Sequence, residues 1–245
     1  MLDLTTARKI EKVLLLVLAF FIIVSSIKVL ALPGTVTVTY NDTGSAPAIT
    51  PANRSDNGGT INTIVFDTLQ QDYNWKAYVG NITGSYTLDD ATGKTIYSWA
   101  LTGFTITGEV YASRYNSITW AQINCSNGTS TLNEMSNLSM GGTDADSISR
   151  TFNETSHEAF LVGTRNMTGC NCTATYLNDT RQTVNSTSKF QEVLLADNAS
   201  RMVYTTVINN DQLGYNADTF DFQMIVAENG ESTTPQTYYF WAELV

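Results

Sequence analysis

Phe190-Gln191-Glu192-Val193-Leu194-Leu195 and, after a short polar segment, Met202-Val203-Tyr204-Thr205-Thr206-Val207-Ile208 decide the fold class. Both runs are rich in apolar and β-branched side chains, shorter than an ordinary helix, and bounded by polar residues, which is the pattern of β-strands. Working outward, the same pattern predicts strands over Val36 to Tyr40, Ile61 to Phe66, Lys76 to Val79, Ser85 to Leu88, Thr95 to Leu101, Ile106 to Ala112 and Ser117 to Ile123. It continues over Ala159 to Val162, Thr173 to Leu177, Phe220 to Ala227 and Thr237 to Leu244. Asp90-Ala91-Thr92-Gly93-Lys94 reads as a hairpin turn in which glycine takes positive φ. One short helix is expected over Thr131 to Met140, opened by Thr131-x-x-Glu134 as a capping box and stopped by Gly141-Gly142.

Short strands between turn clusters, with no repeat of fixed period, predict an all-β fold: a β-sandwich of jelly-roll or immunoglobulin-like type. Three parts are expected: an N-terminal hydrophobic helix at 1–32, a first strand and linker at 33–60, and the sandwich at 61–245. Arg8, Lys9 and Lys12 precede an apolar stretch from Val13 to Leu32 broken only by Ser25, Ser26 and Lys28. It fits a cleaved secretory signal, a membrane anchor with Lys28 reaching the interface, or a helix buried in a filament core. Val36-Thr37-Val38-Thr39-Tyr40 alternates strictly and precedes a loop with Pro47, Pro51 and Gly58-Gly59. Val36, Val38 and Tyr40 are therefore candidate assembly residues that could complete a neighbouring copy's sheet; the alternative is that they form strand one of their own domain.

Asn-x-Ser/Thr occurs twelve times, at Asn41, Asn53, Asn81, Asn124, Asn127, Asn137, Asn153, Asn166, Asn171, Asn178, Asn185 and Asn198. Chance placement at this composition gives about five, so the chain reads as a glycoprotein carrying N-linked glycans outside the cell. Charged residues make up only 15% of the chain. Setting aside Arg8, Lys9, Lys12 and Lys28, and Asp3 and Glu11, leaves nine basic against 21 acidic residues, a net of −12 beyond Leu32. That charge repels phosphate backbones and excludes nucleic acid as a partner.

The three cysteines, Cys125, Cys170 and Cys172, fit an oxidising compartment better than a metal site. Cys125 is expected to bridge to Cys172, which directly precedes a predicted strand, with Cys170 as the alternative partner; either bridge closes a loop of about 45 residues, worth roughly 3 to 4 kcal/mol.

No cofactor and no metal are expected. Asp144-Ala145-Asp146-Ser147 and Asn209 through Asp218 are oxygen-rich and allow a structural calcium, but neither matches a twelve-residue calcium loop. His157 is the sole histidine, and no Gly-x-Ser-x-Gly elbow surrounds a serine. Pairs drawn from Asp72, Asp89, Asp90, Glu109, Glu192, Asp221 and Glu228 could support two-carboxylate hydrolysis, yet the sequence singles out none. Trp75, Trp99, Trp120 and Trp241 lie among apolar neighbours and are expected in the core, with sugar stacking as the other reading.

The basic leader, single apolar segment and Thr-rich, sequon-rich β domain resemble the layout of archaeal type IV pilins and archaellins. The chain departs from that pattern at Arg8-Lys9-Ile10-Glu11, where a small residue usually follows the basic one. Trp75 to Gly84, Gly108 to Arg114, and Phe222 to Asn229 with Tyr238-Tyr239-Phe240 are similar to a group of small archaeal secreted proteins of unassigned function. The resemblance implies an archaeal cell surface and supplies no activity. The expected function is a non-catalytic cell-surface glycoprotein that assembles with copies of itself into an extracellular filament or envelope layer and meets the membrane through its N-terminal helix. The alternative is an adhesin or carbohydrate-binding module.

Overall fold

Gly108–Ser113, buried at every position, is the strand around which the molecule is organised. The computed structural model describes residues 32–38, 43–44, 53–65, 72–101, 103–176, 188–216, 218–232 and 234–245. In chain order the strands are β1 (Gly34–Thr35), β2 (Trp75–Gly80), β3 (Ser85–Asp89), β4 (Thr95–Ala100), β5 (Gly108–Ser113), β6 (Asn124–Cys125), β7 (Phe160–Val162) and β8 (Arg165–Met167). They continue with β9 (Thr173–Tyr176), β10 (Phe190–Ala196), β11 (Met202–Val207), β12 (Gln212–Leu213), β13 (Thr219–Phe220), β14 (Phe222–Ala227) and β15 (Tyr239–Leu244). Helices α1 (Gly128–Asn137) and α2 (Ile148–Thr151) and a 3-10 turn at Trp120–Gln122 lie between β5 and β7.

The main sheet runs β1-β15-β5-β11-β10-β6, with β9 also paired to β10, and every pairing is antiparallel. Tyr204 stands opposite both Leu194 and Ala112, and Ala112 opposite Phe240, so these four side chains share one face. The β2–β14 ribbon covers that face. Tyr78 meets the Phe240 ring edge-on at 4.9 Å, the Thr206 hydroxyl donates to the Gln223 carbonyl, and Glu192 accepts the Ile225 N–H. The other face presents Tyr111 and Trp241, which pack in series on Trp120 at 5.1 and 5.5 Å.

Helix α1 begins three residues before the Thr131 start expected from sequence. Asn127 accepts the Ser130 N–H while the Ser130 hydroxyl accepts the Asn127 N–H, so the capping box is Asn127 with Ser130. Thr131 and Glu134 have a different task. Both are buried, and Glu134 takes a two-pronged hydrogen bond from Arg114 at 2.8 Å. The helix ends at Asn137 rather than at the expected Met140.

The all-β sandwich is therefore corrected to a mixed fold, with helices packed against open antiparallel sheets; the main sheet ends at β1 on one side and at β6 and β9 on the other. The expected hydrophobic helix at 1–32 lies, apart from Leu32, outside the described residues. Among the described residues no helix is long and apolar enough to cross a membrane, so they offer no support for the membrane contact expected from sequence. Residues 61–65 and Ser117 to Ile123 are not strands: the former are exposed, and the latter contain the 3-10 turn that carries Trp120 into the core. The bridge joins Cys125 to Cys170, not to Cys172, which is buried as a thiol and donates to the Leu194 carbonyl. Strand β9 does hold Cys172 in register, but with its sulfur turned into the core.

Two outcomes follow from this packing. Gly108 has φ near +138°, and a Cβ there would collide with the Glu243 carbonyl, so Gly108→Ala should lower unfolding free energy by about 3 kcal/mol in a denaturant titration. Non-reducing peptide mapping should recover Cys125 linked to Cys170, with Cys172 alkylated only after unfolding, because burial pushes its thiol up to about 11.

Candidate assembly surface, glycan face and buried carboxyl pair

Strands β3 and β4 form a hairpin apart from the main sheet, and among the described residues neither pairs with another strand. Asp90 builds its turn, accepting the Thr92 and Lys94 N–H groups at 2.8 and 2.9 Å, with Gly93 at φ +81°. Tyr86 stands opposite Trp99 and Leu88 opposite Tyr97, so the four share one face. They are 46%, 50%, 51% and 55% exposed respectively, a degree unusual for side chains of this kind in an alternating strand pair. Tyr97 and Trp99 pack on each other at 4.5 Å. Their rings, with Tyr86, Phe104, Ile106 and Leu244, border an open cleft of about 570 Å3 lined by no charged side chain.

The tryptophans thus divide. Trp120 and Trp241 belong to the core, and Trp75 packs on Phe152 at 5.9 Å while donating to the Asp146 carbonyl. Trp99 departs from the expected core placement. An alternating aromatic pattern reads the same whether its face is covered by the same chain or by something else, so sequence could not single it out.

Nine sequon asparagines lie among the described residues (Asn53, Asn81, Asn124, Asn127, Asn137, Asn153, Asn166, Asn171 and Asn198), and all nine are exposed. Asn41, Asn178 and Asn185 lie outside them. Six gather near the β6/β9 edge of the main sheet. Asn124 is in β6, Asn127 caps the following helix, and Asn166 follows Arg165, whose guanidinium donates to Asn124. Asn153 precedes Glu154, which bridges to Thr173 of β9; Asn171 lies just before β9, and Asn198 lies in the turn between β10 and β11. At Asn127 the cap uses Oδ1, leaving Nδ2, the atom a glycan takes, available.

Of the expected assembly residues, Val36 and Val38 are 43% and 70% exposed and lie beyond the two-residue strand β1; Tyr40 is outside the described residues. Gly34 and Thr35 pair with Ala242 and Trp241 of the same chain.

Strands β5 and β15 bring together a pair that sequence did not isolate. Glu109 and Glu243 stand directly opposite each other, 4% and 2% exposed, with the Tyr111 hydroxyl donating at 3.4 and 3.2 Å. Glu243 also accepts the Gly163 N–H through both oxygens, at 2.9 and 3.0 Å. Glu243 is therefore the better hydrogen-bonded carboxylate, although burial raises it as well. Burial, and then the Glu243 charge, push Glu109 up to about 8, so it holds a proton near neutrality. Neither carboxyl lines the cleft beside Trp99 or the smaller one bordered by Asn81, Asp211 and Asp221.

The remaining candidates are locally engaged. His157 accepts the Cys170 N–H at Nε2 and donates from Nδ1 to the Glu158 carbonyl. In the expected calcium loops, Asp146 accepts from Asn74, Asp144 from Gly141 N–H, and Asp218 from Asn216. Among the described residues no cluster of three His, Cys, Asp or Glu could hold a metal ion. No protein-family model matches the chain, and neither a curated protein nor a solved structure matches it.

The carboxyl pair sets a pH dependence. Between the ordinary glutamate value of 4.5 and about 8, the folded chain keeps a proton on Glu109 that the unfolded chain has released. Stability should fall as pH rises through that window, by up to about 1.4 kcal/mol per pH unit from this group, and level off above it. Glu109→Gln should make that slope shallower, leaving the part that comes from Glu192 and Glu243, which burial raises as well; denaturant midpoints measured from pH 4 to 9 check it.

Proposed function

We propose that the chain is an exported, N-glycosylated, non-catalytic glycoprotein that assembles with copies of itself into an extracellular filament or envelope layer. The observation carrying this reading is segregation: six exposed sequons crowd one edge of the main sheet, while the apolar hairpin face carries none. Glycans at the β6/β9 edge would keep that edge from pairing with other chains, and contacts between copies fall to the uncovered remainder. Low charge density supports the same reading, since hydroxyls, amides and sugars then supply the solubility that charge supplies elsewhere.

The cleft beside Trp99 favours a second reading, a saccharide-binding module, because ring faces and nearby Ser98 and Thr105 hydroxyls suit a neutral sugar. Negative-stain microscopy separates the two: polymers support the first, dispersed particles the second. Glycopeptide mapping of native material should find Asn127, Asn153 and Asn198 occupied. Bare asparagines throughout would remove the glycoprotein reading.

A further inference from the structure

We propose that the apolar face of the β3–β4 hairpin, formed by Tyr86, Leu88, Tyr97 and Trp99 and extended by Phe104, is the surface through which two copies of this chain associate. The inference rests on the assembly reading above and names its contact.

A two-stranded hairpin is marginal in water unless its apolar face is covered. Here the register collects Tyr86, Leu88, Tyr97 and Trp99 on one face and leaves Ser85, Thr87 and Ser98 on the other, with Ile96 unpaired at the bulge beside Leu88. That division buries nothing within the described part of the chain, yet it is what a covered hairpin needs. Phe104, 70% exposed, continues the patch along the cleft.

Three observations point to a second copy as the cover. The first is charge. A body with a net of −12 beyond Leu32 repels itself wherever carboxylates meet, and the patch is neutral, with Asp89, Asp90 and Lys94 confined to the turn end. The second is the glycan map. No sequon begins between Asn81 and Asn124, a stretch that contains the whole hairpin and the loop with Phe104; Asn81 itself borders a second cleft at the Phe104 end, whereas six sequons gather near the β6/β9 edge. Strand side chains clear of sequons on an otherwise sequon-rich chain are suited to protein contact. The third is area. Five large side chains, 46% to 70% exposed, offer on the order of 450 Å2 per copy, so a two-copy contact buries about 900 Å2. That falls among weak, concentration-dependent interfaces, which suit contacts repeated many times in a layer.

A two-fold axis would oppose hairpin to hairpin, each Trp99–Tyr97 pair packing on its counterpart, an arrangement that the same patch satisfies on both copies.

The test uses the full chain in its native glycosylated form. Sedimentation across a dilution series should show reversible dimerisation in the micromolar range. Tyr97→Thr and Trp99→Thr keep strand-forming residues and should each weaken it at least tenfold, while Leu132→Gln, on α1 and 62% exposed, should leave it within twofold. Hydrogen exchange on the unaltered chain provides a readout that does not depend on variants folding: amides of residues 85–100 should gain protection as concentration rises. A chain that stays monomeric at millimolar concentration, or one that dimerises with protection elsewhere, overturns the proposal. So does a monomer whose Trp99 fluorescence, identified by comparison with Trp99→Phe, is quenched by methyl mannoside or methyl glucoside, which assigns the face to saccharide. Bare asparagines with a hairpin-mediated dimer would sink the glycoprotein reading and leave this contact standing; occupied asparagines on a strict monomer would do the reverse.

Discussion

Burial of β5 along its whole length is the constraint from which the rest follows. Its two neighbours come from distant parts of the chain: β11 begins almost 90 residues after it, and β15 about 130. A strand placed this centrally needs cover on both faces. The β2–β14 ribbon supplies it on the face of Ala112, and the Trp120 turn with the β7–β8 hairpin supplies it on the face of Tyr111. The cover is imperfectly apolar, because alternation that points Tyr111 inward points Glu109 inward too. The fold accommodates Glu109 by placing it across from Glu243, where one proton, one tyrosine hydroxyl and the Gly163 N–H satisfy two carboxyl groups.

An open sheet presents two edges, and the chain treats them differently. Sequons crowd the β6/β9 edge, so the proposed glycans would stand where charged residues guard edges in other proteins. At the other edge β1 spans only Gly34 and Thr35, which leaves Tyr239 of β15 beyond its reach and 41% exposed. The sequence marks this side as strand-forming through Val36 and Val38, but the chain leaves the ladder there.

Strand positions were legible because apolar and β-branched runs between turn residues depend on local pattern alone: β2, β3, β4, β5, β10, β11, β14 and β15 all fall within or beside predicted runs. What failed depended on distant partners. Thr131-x-x-Glu134 has the spacing of a capping box, yet Glu134 is drawn inward by Arg114, twenty residues away, and Asn127 caps instead. The choice between Cys170 and Cys172 was a matter of which side of β9's approach faced β6, invisible without the sheet. The candidate surface was half legible: the Asp90 to Lys94 turn announced the hairpin, while the exposure of Trp99 required knowing that β3 and β4 stand apart from the main sheet. The carboxyl pair was the least legible, since Glu109 and Glu243 are 134 positions apart and only register makes them neighbours.

The bridge and the proposed glycans would constrain each other in time. Asn124 immediately precedes Cys125, and Asn171 immediately follows Cys170, so two sequons flank the disulfide. The hydroxyl residue that completes each sequon is buried in the fold. Ser126 sits within hydrogen-bonding distance of Ser130 and Thr131, and Thr173 donates to the Cys170 carbonyl. A transferase that must reach an extended Asn-x-Ser/Thr can therefore read Asn124 and Asn171 only before α1 docks and β9 pairs with β10. Sugars placed then would remain at the surface, because both asparagines are exposed in the finished sheet. Asn198, in a turn whose Ser200 is only half-buried, carries no such restriction of order. Attachment at the disulfide would thus be tied to the unfolded chain, and the edge such sugars would guard would be covered before the strand ladder that creates it has closed.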